Sequence, residues 1–382
     1  MRTQTDRGRA ARAAALAWAA SIACAALLAC LSAPPARAAA TWTVTGHGFG
    51  HGVGMSQYGA YGYALHGRDY RFILGHYYQG TTVGTAPQSK VRVLLTIASG
   101  DVTFSRATAA CNRPLNPANP YRARLNGDGV RLLSSGGRVL ANCGRRLRAT
   151  GHGRVWIRRN GAYRGALVVV PTSSGGTLNV INALSLDKYV RGVIAGEMPS
   201  SWPLEALKVQ AVAARSYALA GGVNGNGFDL YDDTRSQVYE GIAGETPSTD
   251  KAVKQTSNGV VLYGGNVATT YYSASSGGQT ENSEFGFGGS PVPYLKSVAD
   301  PYDTTSPLHT WRRTYSQGQL EAQLSGYVKG KLQNIQITKT GVSPRIVSAN
   351  VVGSNGTTKV SGTELQSALD LYSTWMTFTK SG

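Results

Sequence analysis

Two prolines four residues apart, Pro199 and Pro203, constrain this chain more than any other feature. Each disfavours the α conformation at the residue before it, so Met198 and Trp202 are pushed toward extended backbone. The stretch Val193 to Pro203 is therefore a short bent link between two helical patterns. Upstream, Leu186, Tyr189, Val190, Val193 and Ile194 recur at helical spacing, with Ser185 in position to cap and Gly196 to stop the run. Downstream, Pro203 is preorganised for a first helical turn, and Leu204, Leu207, Ala211, Ala214 and Ala218 form one side whose small alanines permit close packing. Glu197 sits in the link. Flanked by Ile194, Met198 and Trp202, its carboxyl is expected to be desolvated, which raises its pKa toward the range of a general acid. The competing expectation is a solvated glutamate at a helix end.

The first residues combine Arg2, Arg7, Arg9 and Arg12 with an apolar run from Ala13 to Leu31 and an Ala36-Arg37-Ala38 site, the pattern of a secretory signal spanning 1–38. A lipoprotein signal ending at Cys30 and an uncleaved anchor are the alternatives. The remaining chain is long enough for a substantial core, and its 33 Lys/Arg against 19 Asp/Glu leave a net charge of about +14. An anionic partner follows. Arginines concentrate between Arg138 and Arg164 in a strand-like segment; the export signal and the lack of a nucleic-acid-binding motif argue against nucleic acid and for anionic polymers of the cell envelope, with a merely solubilising positive face as the alternative. Cleavage leaves two cysteines, Cys111 and Cys143, which pair most simply in an oxidising compartment. Two thiols make a poor metal site, and the glycines between His47 and His51 disfavour a zinc-binding helix there.

The chain reads as one α+β body: β-rich, with a central pair of helices and a polar cleft. A glycine- and histidine-rich segment (39–90) contains Gly46 to Ala60, whose backbone can approach other groups closely and whose His51 is placed for substrate contact or for structural burial. It lacks the lysine of a phosphate loop. A core over 91–300 follows, with an arginine-rich β insertion at about 100–180 and clear strands at Val91 to Ile97 and Ala166 to Val170. Strands are also expected at Val260 to Tyr263 and Ala268 to Tyr272 around a Gly264-Gly265-Asn266 turn. The polar loop Ser273 to Gly289 is a natural place for substrate contacts. A strand-helix subdomain (301–382) closes the chain, with an Asn355-Gly356 hairpin and a Ser361/Glu364 capping box.

Several separated motifs resemble the SpoIID/LytB (sporulation stage II protein D) family, whose members act on bacterial peptidoglycan. They are Leu186-Asp187-Lys188-Tyr189-Val190 through Glu197-Met198-Pro199, Trp202-Pro203-Leu204 through Gln210 to Ala218, Gln237-Val238-Tyr239, Tyr272 to Asn282, and Pro293-Tyr294-Leu295. In the sporulation protein the counterparts of His51 to Gln57 and His76 to Thr81 lie toward the C-terminus, so the resemblance implies a permuted SpoIID-like order, which neighbouring termini would tolerate. The zinc-binding cysteines and histidine of some members fall here on Tyr231, Arg235 and Ser236. No metal and no other cofactor is expected.

By the resemblance, Glu197 is the catalytic glutamate of a lytic transglycosylase, which cleaves glycan strands to 1,6-anhydro ends with one carboxylate. A hydrolase would need a second carboxylate about 5 to 9.5 Å away, for which Glu281 and Glu284 are candidates. Residues expected to contact substrate are His51, Ser56, Gln57, Gln210, Arg215, Gln237, Tyr272, Ser275, Ser276 and Glu281. For Arg215, on a buried alanine-rich helix, an interior role satisfying a carboxylate or carbonyls is the alternative. The rival function is a wall-binding module that modulates a wall amidase, as LytB-type relatives do.

Overall fold

A computed structural model describes residues 40–86, 89–221 and 225–382, so the expected signal segment lies outside the described residues. The α+β expectation is met. The alternating apolar strands assemble into a seven-stranded sheet in which Lys90–Ala98, Leu178–Ser185 and Ala166–Pro171 are neighbours, all antiparallel. A six-stranded sheet centred on Tyr121–Asn126 and Val102–Ser105 carries most of the arginine-rich insertion. The inward residues of both sheets, such as Val93, Val169, Phe104 and Leu132, belong to one apolar core. Cys111 and Cys143 form a disulfide across a sequence separation of 32. Closing such a loop contributes about 3 to 4 kcal/mol in the chain-entropy account.

The alanine-rich helix Leu204–Ala220 runs through the middle of that core, with Ala206, Ala211, Ala213 and Ala214 fully buried. The helix expected upstream is in fact two: Leu186–Arg191 stops at Gly192, and a single turn, Ile194–Glu197, follows. The break lies where Gly192 abuts the Tyr239 ring and the Gly241 carbonyl, leaving no room for a Cβ. Ser185 occupies the N-cap position without a side-chain bond.

The segment read as 39–90 is shared between two cores. Its first strand, Thr41–His47, lies between Thr310–Ser316 and Met376–Ser381, and buries Trp42 and Val44 in a second core with Leu320, Leu365 and Met376. The helices Gln57–Leu65 and Tyr70–Tyr77 bury Ala60, Ile73 and Leu74 in the main one. The C-terminal hairpin Ile346–Gly353 with Gly356–Ser361 turns through Ser354 and Asn355, one residue earlier than read, and the Ser361/Glu364 capping box forms. Gly264 and Gly265, both at positive φ, close the turn between Gly259–Tyr263 and Asn266–Val267. The strand expected at 268–272 shrinks to Tyr272–Ser273, because that end pairs with Met55–Ser56 instead.

Candidate functional site

That parallel pairing, Tyr272 opposite Met55 and Ser273 opposite Ser56, brings together two motifs more than two hundred residues apart. Phe49 bridges to Ser275 and Val53 to Glu281, so the glycine segment and the Ser-Gly loop run side by side. Two of the glycines are steric requirements. A Cβ at Gly48, whose φ is +75°, would collide with the backbone of Ser275 and Ser276, and one at Gly52 would enter the Arg345 guanidinium.

Where these segments meet the proline link, a cleft of about 550 Å³ opens, with Glu197, Gln57, His51 and Tyr272 in its lining. The link behaves as the prolines require: Met198 is extended at ψ 139° and its N–H donates to the Ile194 carbonyl (2.7 Å), ending the turn that carries Glu197. The Glu197 carboxylate accepts from the Val238 N–H at 2.9 Å. Gln57 donates to the Glu197 carbonyl (3.0 Å) and to Gln210 Oε1 (3.3 Å), so three expected residues lock together. Gln210 Nε2 is buried with no partner in the protein. The Tyr189 hydroxyl donates to Gln237 Oε1 (3.0 Å), and Gln237 Nε2 donates to the Tyr272 hydroxyl (2.8 Å), which leaves that hydroxyl's proton for Glu197.

Burial raises the Glu197 pKa above the usual glutamate value; hydrogen bonding from Val238, Tyr272 and Gln57 opposes this without cancelling it. His51 is held neutral. Desolvation chiefly, and the Arg345 charge second, bring its pKa down to about 4 against a hydrogen bond to the Tyr272 backbone. Its Nδ1 accepts from the Val53 N–H at 3.0 Å, and its ring packs on Phe287 with centroids 4.8 Å apart. It is a wall, not an acid.

The expected polar cleft is corrected by its lining. Phe49, Tyr217, Tyr271 and Phe287 make the walls aromatic, Phe49 and Phe287 being 45% and 48% exposed. Polar groups gather around Glu197.

Five expected contact residues point elsewhere. Ser56 and Ser275 donate to the two oxygens of Asp303 (2.7 Å each), and Ser276 donates to Asp300 Oδ2 (2.7 Å), all fully sealed from solvent. Arg215 pairs with Asp187 (2.6 Å) and donates to the Val253 carbonyl (3.0 Å), fulfilling the interior alternative. Glu281 accepts from Val342 N–H (3.0 Å) and Ser343 Oγ (2.6 Å), joining the Ser-Gly loop to the C-terminal unit. None lines the cleft, and neither do the buried Gln210 and Gln237, which connect to it only through their hydrogen bonds with Gln57 and Tyr272. Glu284 is also outside the lining, bonded to Asn282 Nδ2 (2.9 Å) and facing Lys296 (3.5 Å). Among the lining residues Glu197 is the sole carboxylate.

The positions that bear zinc ligands in some relatives do not suit a metal here. Arg235 forks onto Asp233 and lies 3.8 Å over the Tyr231 ring, while Ser236 Oγ accepts from the Tyr231 N–H (3.1 Å). Sequence reasoning missed the Val238 N–H, the Tyr189 relay and the aromatic walls. Tyr189 and Val238 stand in quoted motifs; nothing in the sequence marks Phe49 or Phe287 as facing Glu197.

Residues 174–263 match the family model SpoIID, described as stage II sporulation protein. The chain is 36% identical over 213 residues to an uncharacterized protein of Brachyspira hyodysenteriae (48% of this chain, 57% of the relative). It is 30% identical over 190 residues to stage II sporulation protein D of Bacillus subtilis (45% and 55%), and 42% identical over 134 residues to the amidase enhancer of the same organism (35% and 18%). Over these regions the chain is similar to the SpoIID/LytB family. The chain spans just over half the length of the first two of these relatives and 18% of the enhancer's. The matched region contains Glu197, Gln210 and Gln237, whereas the Gly46 to Gln57 wall and Tyr272 lie outside it.

Proposed function

We propose that this protein works on the bacterial cell wall as a lytic transglycosylase, cleaving the MurNAc-GlcNAc bond of peptidoglycan glycan strands with Glu197. The observation that carries the reading is a single desolvated carboxylate in an aromatic-walled cleft. Protonated Glu197 gives its proton to the glycosidic oxygen as the C1–O bond breaks; the carboxylate then takes the proton of the C6 hydroxyl of the same muramic acid, whose oxygen closes on C1. The product is a 1,6-anhydro end, and no water is consumed. A two-carboxylate hydrolase is disfavoured because Glu281 and Glu284 are engaged away from the cleft. Phe49 and Phe287 offer faces on which sugar rings stack, and Tyr272 with Val238 orients the acid. The test is product analysis on purified glycan: anhydromuropeptides from the intact protein and none from Glu197→Gln.

The likeness to the amidase enhancer favours a second reading, a wall-binding module that modulates an amidase. Tight wall binding, intact glycan and stimulation of an amidase, all unchanged in Glu197→Gln, would establish it instead. In either case the protein acts outside the cytoplasm. Among the described residues no helix is long and apolar enough to cross a membrane. A permuted order is part of the proposal: Thr41 pairs with Ser381, so the two ends of the described chain lie side by side.

A further inference from the structure

The arginines of this protein divide sharply. Elsewhere among the described residues every guanidinium but that of Arg68, which lies over the Phe72 ring, has a hydrogen-bond or ion-pair partner: Arg164 and Arg191 hold Glu245 and Asp250, Arg92 holds Asp229, Arg215 holds Asp187. Between Arg106 and Arg159 most have none. Arg138, Arg146, Arg148, Arg154, Arg158 and Arg159 are exposed and make no side-chain hydrogen bond or ion pair. The only acidic residues between positions 99 and 186 are Asp101 and Asp128. Asp101 is taken by Arg122 (3.1 Å) and Arg124 (2.7 Å), and Asp128 by Arg145 (3.6 Å). This concentration of uncompensated positive charge costs self-repulsion, which an anion relieves.

Two parts of this surface are concave, and the one lined by Arg158 and Arg159 also contains the carboxylate of Asp101. Around the Cys111–Cys143 disulfide lies a hollow of about 360 Å³ with Asn112, Asn142, Arg146 and Arg148 in its lining and no acidic side chain. On the strand Leu147–Thr150, Leu147 and Ala149 face the core, so the pleat turns Arg148 outward. Arg131 Nε donates to Asn142 Oδ1 at 3.1 Å, which leaves the Asn142 amide hydrogens for a ligand. Every polar side chain there can offer donors, and two are guanidinium forks of the shape that matches tetrahedral oxyanions.

We propose that this disulfide-framed hollow is an anion site, separate from the Glu197 cleft, that holds phosphodiester groups of a polyanionic wall polymer such as a glycerol-phosphate chain. It shares no lining residue with the cleft. No aromatic ring lines it, so it lacks the stacking surface on which single-stranded nucleic acid is bound. The disulfide fixes the spacing of the turn that carries Asn112 and the strand end that carries Asn142.

The experiment measures binding of the full chain to poly(glycerol phosphate) at 0.15 M salt, with single-stranded DNA and anionic lipid vesicles as parallel arms. Arg146→Ala/Arg148→Ala is expected to weaken polymer binding roughly tenfold or more, as loss of two charge-assisted contacts implies. Arg158→Ala/Arg159→Ala, which removes the same charge outside the hollow, is expected to weaken it less than about threefold. Glu197→Gln should bind like the parent, and thermal melting should show all variants folded. Equal losses in the two double variants would reduce the surface to diffuse charge and overturn the site. So would absence of polymer binding, or tighter binding to DNA or to vesicles.

Discussion

Glu197 and Asp303 are both carboxylates withdrawn from water, and the contrast between them separates chemistry from framework. Asp303 is fully buried and saturated: it accepts from Ser56, Ser275, the Ser276 and Gly277 N–H groups, and His309. It ties the start of the helix Gln57–Leu65 to the Ser-Gly loop and is closed to any ligand. Glu197 keeps one face on a cleft, with its oxygens only partly occupied. Desolvation without saturation leaves a proton that can be given away.

The largest effect should come from Glu197→Gln, which keeps size and removes the titratable proton. Glycan cleavage should fall by roughly 10² to 10⁴, with the melting temperature nearly unchanged. A comparable loss of melting temperature would make Glu197 a framework residue like Asp303 and dissolve the contrast. Asp303→Ala should do the reverse, leaving buried donors unmatched at a cost of about 3 kcal/mol or more in denaturant unfolding. A variant as stable as the parent would show that the sealed cluster is dispensable.

Tyr272→Phe sharpens the comparison at the cleft. The Tyr272 hydrogen bond favours the ionised form of Glu197, so its loss should raise the pKa further and move the alkaline limb of the kcat/KM profile to higher pH. A roughly tenfold fall in kcat is expected from the lost charge-assisted bond. An unmoved limb would mean that Tyr272 does not act on the acid.

The smallest effect is a pH dependence of stability. Asp300, beside Asp303, is pushed up to about 7, first by burial and then by its neighbour's charge. The folded state therefore holds a proton that the unfolded chain has lost, and stability falls as pH rises from about 4 to about 7. Asp300→Asn should flatten that slope relative to the parent in urea titrations at fixed pH values. A parallel pair of curves would remove Asp300 from the account.

Much of the local architecture was legible in the chain. The proline link, the alanine-rich helix, the principal strands and the C-terminal capping box follow from local chemistry and apolar periodicity, which act over a few residues, and the disulfide from the two cysteines left after the expected signal. The site was legible only in part. Ser56, Ser275 and Ser276 share motifs with Gln57 and Tyr272, and residue type does not tell which hydroxyl turns to solvent and which to a buried aspartate. The aromatic walls were invisible, because Phe49, Tyr217 and Phe287 meet only after three distant segments pack.

By itself the sequence determined that an acid would stand on a stiff elbow, because proline restricts its neighbours wherever the chain goes. Only the tertiary structure decided which polar groups face that acid. Hydrogen-bond partners and exclusion of water depend on the strand pairing of Met55–Ser56 with Tyr272–Ser273, a contact across more than two hundred residues that no local rule specifies.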